Sequence, residues 1–393
     1  MNAVVKSGNP VPVVINPDSP TKVLGSLPGG STVEVEDVIT DNTRRWGQIA
    51  LSASGQQLLQ PNSTRLLYGY VLADNFVGGL VPVTPTNTKL GLAVIYSETA
   101  AFQAAQVGCR FFNIINNADM ASRLKDAYPD ATIVVRPYID IHGAMPSVDY
   151  VLKHLNGARD PRLIYCGVNE AEQIDQTVSA IPKRAQFDRE LAMRIKAISG
   201  GTYAAGSFST GAPDITRPDV CTAIQQYYAP YFNSGLFWFD QHLYSPNMAH
   251  IYREDVQTPN WNGQPQTIAE YEWYELRWRF YYRRCGFDPN SPSRIISAET
   301  GMDQGSVGGF PEHKATDQDV VNWSRRFLTL SALPIEVGGT LYPSTFVGGA
   351  IFQVGDPVHW AGYDMARYEG ALSTQVWLQP QAANPMAARQ EPA

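Results

Sequence analysis

Between residues 89 and 378 the chain alternates eight times between an apolar, strand-like run and an amphipathic helical stretch. Few folds accept that pattern. The strand-like runs are Leu90–Tyr96, Arg110–Asn116, Thr132–Ile139, Arg162–Val168, Thr202–Ser207, Leu236–Leu243, Arg294–Ala298 and Gly348–Gln353. Between them lie helical stretches such as Ala118–Tyr128, Ser147–Leu155, Phe187–Ile198, Pro218–Phe232, Glu270–Cys285 and Asp317–Leu330. Runs that are apolar throughout, rather than every second residue, suit a parallel sheet covered on both faces. Eight β–α repeats in about 290 residues fit an α/β fold of the (β/α)8 or TIM-barrel type, which typically takes about 250. A doubly wound sheet would place a Gly-rich phosphate loop after its first strand, and "VIYSETAAF" has none.

The first 78 residues follow a different rule. Val11–Ile15, Thr32–Val38, Trp46–Ala50 and Leu67–Leu72 are β-rich, and Asn16–Pro20 and Pro28–Gly30 are turns. No helical period appears there, so a small all-β barrel is expected over 1–78. Residues 79–88, rich in Gly, Pro and Thr, read as a linker. Residues 379–393 read as a polar, disordered tail.

Of the 393 residues, 44% are hydrophobic and 17% charged, and the formal net charge is -7. That balance excludes a disordered chain and gives no attraction to nucleic acid or anionic membranes. No window approaches the roughly 18 apolar residues of a membrane span. Residues 1–15 do not read as a signal peptide. Cys109, Cys166, Cys221 and Cys285 form no CxxC pair and have no His cluster beside them, which argues against a zinc site. Cys166, inside an apolar run, is expected to be a buried thiol. No cofactor or metal is called for.

In a barrel of this kind the working groups stand at the C-terminal ends of the strands. The polar residues there are Tyr138, Asp140 and His142 after strand three, and Asn169 and Glu170 after strand four. Strand six contributes Asp240, Gln241, His242 and Tyr244, strand seven Glu299, and strand eight Gln353 and Asp356. Glu170 and Glu299 would face each other across the mouth. Two facing carboxyl groups are what glycoside cleavage needs, one protonated to donate to the leaving oxygen and one ionised. Mutual repulsion and partial burial can separate their pKa values. Arg136, set in an otherwise apolar strand, requires a carboxylate partner: Glu170, Glu299 or Asp140. Trp238, Trp273 and Trp278 read as packing residues. Trp360 and Tyr363, after strand eight, read as a platform for a sugar ring.

These segments resemble known families. "IYCGVNEAE" and "IISAETG" look like the strand-four Asn-Glu and strand-seven nucleophile motifs of the clan A glycoside hydrolases. "FDQHLY" is similar to their strand-six His-x-Tyr, and "YIDIHG" to the strand-three Asp-x-His of cellulase-like members. The resemblance implies a retaining glycosidase with Glu170 as acid/base and Glu299 as nucleophile. It places Asn169 on a sugar hydroxyl, has Tyr244 keep Glu299 ionised, and has His242 line the same subsite. Asp140, His142, Tyr138, Arg136, Gln353 and Trp360 complete the expected substrate-binding set. Two features depart from the pattern. Ala171 stands where Pro is common, and "GGAIFQVGD" puts Gln353 where a Trp usually floors the subsite.

In the N-terminal part, "KVLGSLPGGSTVEVEDV", "RRWGQIAL" and "YGYVLADNF" resemble bacterial Src-homology-3-like domains, with Gly69, Tyr70 and Val71 closing the barrel. Such modules accompany cell-wall-directed enzymes. The expected partners are therefore a carbohydrate substrate and a cell-wall or envelope surface. The expected place is outside the cell or at its envelope, with a phage origin compatible. The rival reading is a non-catalytic glycan-binding or phage or cell-surface structural protein on the same scaffold.

Overall fold

The apolar runs pair into a closed ring of parallel strands in a computed structural model of the chain. The structure describes residues 89–378 apart from 140–143, 172–174, 176, 249, 253–255, 260–264, 269 and 304–307. In residues 1–88 and 252–271 it describes strand and helix backbone only. The chain divides into two units, Met1–Thr84 and Pro85–Ala393.

In the second unit the ring runs β1 (Leu90–Ile95), β2 (Phe111–Ile115), β3 (Thr132–Arg136), β4 (Ile164–Cys166), β5 (Thr202–Phe208), β6, β7 (Ile295–Met302) and β8 (Phe346–Val354). Strand β6 comes in two segments, Trp238–Gln241 and Leu243–Ser245. Every neighbouring pair is parallel, and β8 pairs with β1 to close the ring. The continuous run expected over Leu236–Leu243 is thus broken at His242, whose N–H donates to the Phe208 carbonyl on β5.

Alternation along each strand makes two cores. Ala93 and Ile95, Phe111 and Ile115, Val134, Ile164 and Cys166, Ala204, Tyr244, Ile296 and Ala298, Ala350 and Phe352 pack inside the ring. Their neighbours, such as Leu92, Val94, Phe112, Ile133, Tyr165, Phe239 and Ile295, pack outward. The outward set meets helices α1 (Glu98–Gln106), α2 (Ala118–Ala127), α3 (Val148–His154), α4 (Ala180–Ser199), α5 (Pro218–Tyr227), α6 (Ala229–Asn233), α7 (Glu270–Trp273), α8 (Arg279–Arg284) and α9 (Asp317–Ala332). Burying each large aliphatic or aromatic side chain contributes roughly 1.5–3 kcal/mol, so the two cores supply most of the fold's stabilisation. Local signals start the helices. Ser97, Asn117 and Ser147 accept N-terminal amides of α1, α2 and α3, and Thr316 with Asp319 forms a capping box on α9.

The ring closes tightly enough to fix some positions as glycine. A Cβ on Gly91 would stand 1.7 Å from the Phe111 carbonyl oxygen of β2. We predict that Gly91→Ala lowers unfolding free energy by about 3 kcal/mol or more, because backbone, not a pliable side chain, must move. A urea melt with less than about 1 kcal/mol of change would contradict that packing.

The helix expected over Glu270–Cys285 is two short ones, α7 and α8, around a turn. The cause is visible at Arg277, which is buried in that turn and donates to the carbonyls of Gly211 and Pro213. Helix α4 starts at Ala180, ahead of the expected Phe187. Cys166 is buried, as are the other three cysteines, and all four are free thiols. Trp278 is buried against Phe346, as expected of a packing residue. Among the described residues no helix is long and apolar enough to cross a membrane.

In the first unit the backbone forms six strands paired antiparallel, in the order Asn2–Val4, Thr32–Asp41, Arg44–Ala50, Tyr68–Leu72, Val11–Val14, Val23–Leu27. The Src-homology-3-like reading rests on side chains outside the described residues. So do the linker 79–88 and the tail 379–393.

Candidate active site

The described site residues stand in the C-terminal halves of the barrel strands or in the loops beyond them, Glu299 lying within β7 with three strand residues after it. On β6 the alternation is regular, so Trp238, Asp240, His242 and Tyr244 share the inner phase. On β3 the inner phase carries Val134 and Arg136. Strand β4 ends before Asn169 and Glu170, and the chain turns sharply there. Glu170 has φ +47°, a left-handed conformation unfavourable for a side chain with a Cβ, and its N–H donates to the Ser207 carbonyl of β5 at 2.9 Å. That bond holds the turn and directs Glu170 to the mouth.

The two carboxylates meet there, with His242 beside both. One donor atom each from Glu170, His242 and Glu299 lies within 4.8 Å of the others. The two acids have different surroundings. Glu299 is 9% exposed at its side chain, against 20% for Glu170. Glu299 Oε1 is paired with the Arg136 guanidinium, and its Oε2 accepts the Tyr244 hydroxyl at 2.8 Å. His242 Nδ1 stands 3.6 Å from Glu299 Oε2 and is hydrogen-bonded to Glu170 Oε1 at 2.9 Å. Of the two described carboxylates open to Arg136 in the sequence, Glu170 and Glu299, it is Glu299 that pairs with it.

Electrostatics follow from this geometry. Burial alone would raise the Glu299 pKa. The charges of Arg136 and His242 and the Tyr244 hydrogen bond outweigh it, so Glu299 is held below the usual carboxylate range. Burial alone would depress His242. The Glu299 charge, the Glu170 hydrogen bond and the Asp240 charge reverse that, lifting His242 to about 9. Near neutral pH the imidazolium therefore donates from Nδ1 to Glu170. The Tyr244 hydroxyl is raised well above its ordinary value by burial and by Glu299, so it stays a donor.

The donor spacing would suit a divalent cation, but the chemistry of the set does not. Both Glu299 oxygens are already engaged, Oε1 by the Arg136 cation and Oε2 by the Tyr244 hydroxyl, and a guanidinium against the cluster repels a second cation.

Arg136 also reaches Asn169 Oδ1. That contact assigns the amide orientation and leaves the Asn169 Nδ2 as a donor for the cleft. Tyr138 is exposed beyond β3, its N–H held by the Asn116 side chain at 3.1 Å. Trp360 is partly buried, edge-on to Phe352 at 5.3 Å and to Tyr363 at 5.9 Å, and the Tyr363 hydroxyl donates to Asp303 at 2.8 Å. Gln353 differs from its expected role. It is buried, donates to the carbonyls of Asp356 and Trp360, and accepts the Asp356 N–H, so it braces the loop that carries Trp360. Asp140 and His142 lie outside the described residues.

Three residues outside the expected catalytic and substrate-binding set, Asp240, Ser207 and Asn113, stand beneath it, Asp240 being one of the strand-six polar residues noted in the sequence. Asp240 accepts the Ala298 N–H at 2.8 Å and the Ser207 hydroxyl at 2.7 Å, and Asn113 Nδ2 donates to the Ala298 carbonyl at 2.8 Å. The available signal was parity: Asn113 and Asp240 are polar residues on the inner phase of otherwise apolar strands.

No protein-family model matches the chain, and no curated protein matches it. Among solved structures it is similar to CJP38, a β-1,3-glucanase and allergen of Cryptomeria japonica pollen, at 12% identity and TM-score 0.40, over 68% of this chain and 89% of that one. It is similar to a GH5-4 broad-specificity endoglucanase from an uncultured bacterium, at 9% identity and TM-score 0.39, over 75% and 84%. It is also similar to a Bacteroides ovatus GH5 xyloglucanase in complex with a XXXG heptasaccharide, at 12% identity and TM-score 0.40, over 91% and 87%. Likenesses at this level decide nothing about what this chain does. The geometry at the mouth of the barrel has to carry that.

Proposed function

We propose that the chain is a retaining glycoside hydrolase acting on an oligo- or polysaccharide, with Glu299 as nucleophile and Glu170 as acid/base. The observation that carries this reading is the unequal pair of acids in one cleft, with a carboxylate oxygen of each within 4.8 Å of the other. Carboxyl groups about 5–5.5 Å apart suit double displacement, whereas about 6.5–9.5 Å leaves room for an inverting water.

The chemistry proceeds in two steps. Glu299, ionised by its neighbours, attacks the anomeric carbon. The bond to the leaving oxygen breaks, and Glu170 gives that oxygen a proton. The glycosyl ester on Glu299 is then cleaved by water, which loses a proton to Glu170 as its oxygen bonds to the anomeric carbon. Asn169 Nδ2 donates to a sugar hydroxyl, and Trp360 with Tyr363 forms a ring platform beside the cleft. His242 Nδ1 bonds Glu170 Oε1 at 2.9 Å and so orients that acid in the cleft.

The test is proton NMR of the first product formed from a substrate found in a panel of aryl glycosides and polysaccharides. The configuration should be retained. An inverted first product rejects double displacement.

Tyr244→Phe probes the same balance. Removing the hydroxyl lets burial push Glu299 upward, and only ionised Glu299 attacks. The acidic limb of kcat/KM should therefore move to higher pH. The plateau should fall roughly 10- to 100-fold, matching the ~1.5–3 kcal/mol of a hydrogen bond to a charged group. A limb that stays put or moves to lower pH would contradict the assigned role of Tyr244.

A further inference from the structure

The side chain of Glu299 points where a regular strand would not send it. On β7, Ile296 and Ala298 pack inside the ring and Ile295 packs outside. Strict alternation would send residue 299 outward. The ladder to β8 shows what changes the phase. Ser297 is paired with Gly349, but Thr300 is paired with Ile351, so β7 holds one more residue than β8 over that stretch. Such a bulge turns the next side chain to the other face and removes backbone groups from the ladder. Here the groups of Ala298 are taken up by two buried side chains. Asp240 Oδ1 accepts its N–H and Asn113 Nδ2 donates to its carbonyl, both at 2.8 Å. Asp240 and Asn113 are each 0% exposed. The other Asp240 oxygen is fixed by the Ser207 hydroxyl at 2.7 Å, with the Cys166 thiol at 3.7 Å and His242 Nε2 at 3.8 Å. The Ser297 hydroxyl ties the same bulge from within, donating to the Glu299 carbonyl at 2.6 Å.

We infer that Asp240 and Asn113 are positioning residues for the nucleophile: they clamp both backbone groups of Ala298 and so hold the bulge that turns Glu299 into the cleft toward Arg136 and Tyr244. This rests on the reading of Glu299 as nucleophile. Neither residue touches substrate. Each acts on the angle and distance of attack, where a misplacement near 1 Å can cost about 10²-fold.

The experiment uses the full chain and a panel of 2,4-dinitrophenyl hexosides, pentosides and disaccharides in both anomeric configurations. Dinitrophenolate leaves without protonation, so its release with enzyme in excess reports attack by Glu299 alone. On the glycoside that wild type cleaves fastest, Asp240→Ala should slow single-turnover release about 100-fold while KM changes less than about threefold. Asp240→Asn retains an oxygen for the Ala298 N–H and should restore the rate to within about fivefold of wild type. Asn113→Ala should slow release about tenfold, and it serves in place of Asp240→Ala if that variant does not fold. If Asp240→Ala, or Asn113→Ala in its place, keeps the wild-type rate with only a lower melting temperature, the clamp is merely structural and the inference falls. A failure of Asp240→Asn to rescue overturns it too. If wild type cleaves no member of the panel, the proposed function falls and takes the inference with it. An active wild type with unaffected variants sinks the inference alone.

Discussion

Glu299→Ala is expected to abolish turnover of every substrate, with kcat reduced by roughly 10⁴- to 10⁶-fold, as for loss of a covalent nucleophile elsewhere. The fold should survive, because the change deletes a side chain at the rim of the inner core. It leaves Arg136 and His242 without their shared anion, so some loss of stability should accompany it. Azide supplies the decisive sign. A small anion can enter the vacated volume and attack the anomeric carbon from that face, giving a glycosyl azide of inverted configuration. Retained configuration in that product would exchange the roles of the two acids. Wild-type activity in the variant would place the chemistry elsewhere.

Glu170→Ala should give the second-largest effect, and it should depend on the leaving group. Proton transfer from a placed acid contributes about 10²- to 10⁴-fold. That loss should appear in full on substrates with poor leaving groups and nearly vanish from the first step on dinitrophenyl glycosides. With the latter the glycosyl–enzyme still forms, and the slow step becomes attack by unactivated water. Azide should then accelerate turnover and give a product of retained configuration, because Glu299 has already inverted the centre once. A loss that is uniform across leaving groups would mean that Glu170 holds the structure or the sugar and transfers no proton.

The barrel was legible because its strands are buried on both faces. A run such as "LGLAVI" or "FFNII" has to be apolar throughout, and the helices between strands carry their own caps at Ser97, Asn117, Ser147 and Thr316. Where tertiary contacts override the local pattern, the reading slipped. His242 gives its N–H to β5 and splits β6, and Arg277 buries itself among loop carbonyls and splits a helix. The acids were legible from position, as carboxylates at strand ends. What dresses them is less so. Arg136 announced a buried partner without naming it. The clamp on Ala298 joins residues far apart in sequence, 113 with 298 and 240 with 298. It also depends on a one-residue bulge that no periodicity records. Gln353 marked the right loop, but only its contacts reveal that it braces the loop instead of facing the cleft.

The central claim is that Glu299 forms a covalent bond to the sugar. It is tested most directly by inactivation with activated 2-deoxy-2-fluoro glycosides, followed by peptide mass spectrometry of the labelled chain. The fluorine slows both steps, and a good leaving group lets the first still occur, so the ester accumulates. The expected result is one sugar per chain on the peptide containing Glu299, and none in Glu299→Gln. A wild type that hydrolyses the parent glycoside yet carries the label on Glu170 or another residue, or carries none, would contradict the account.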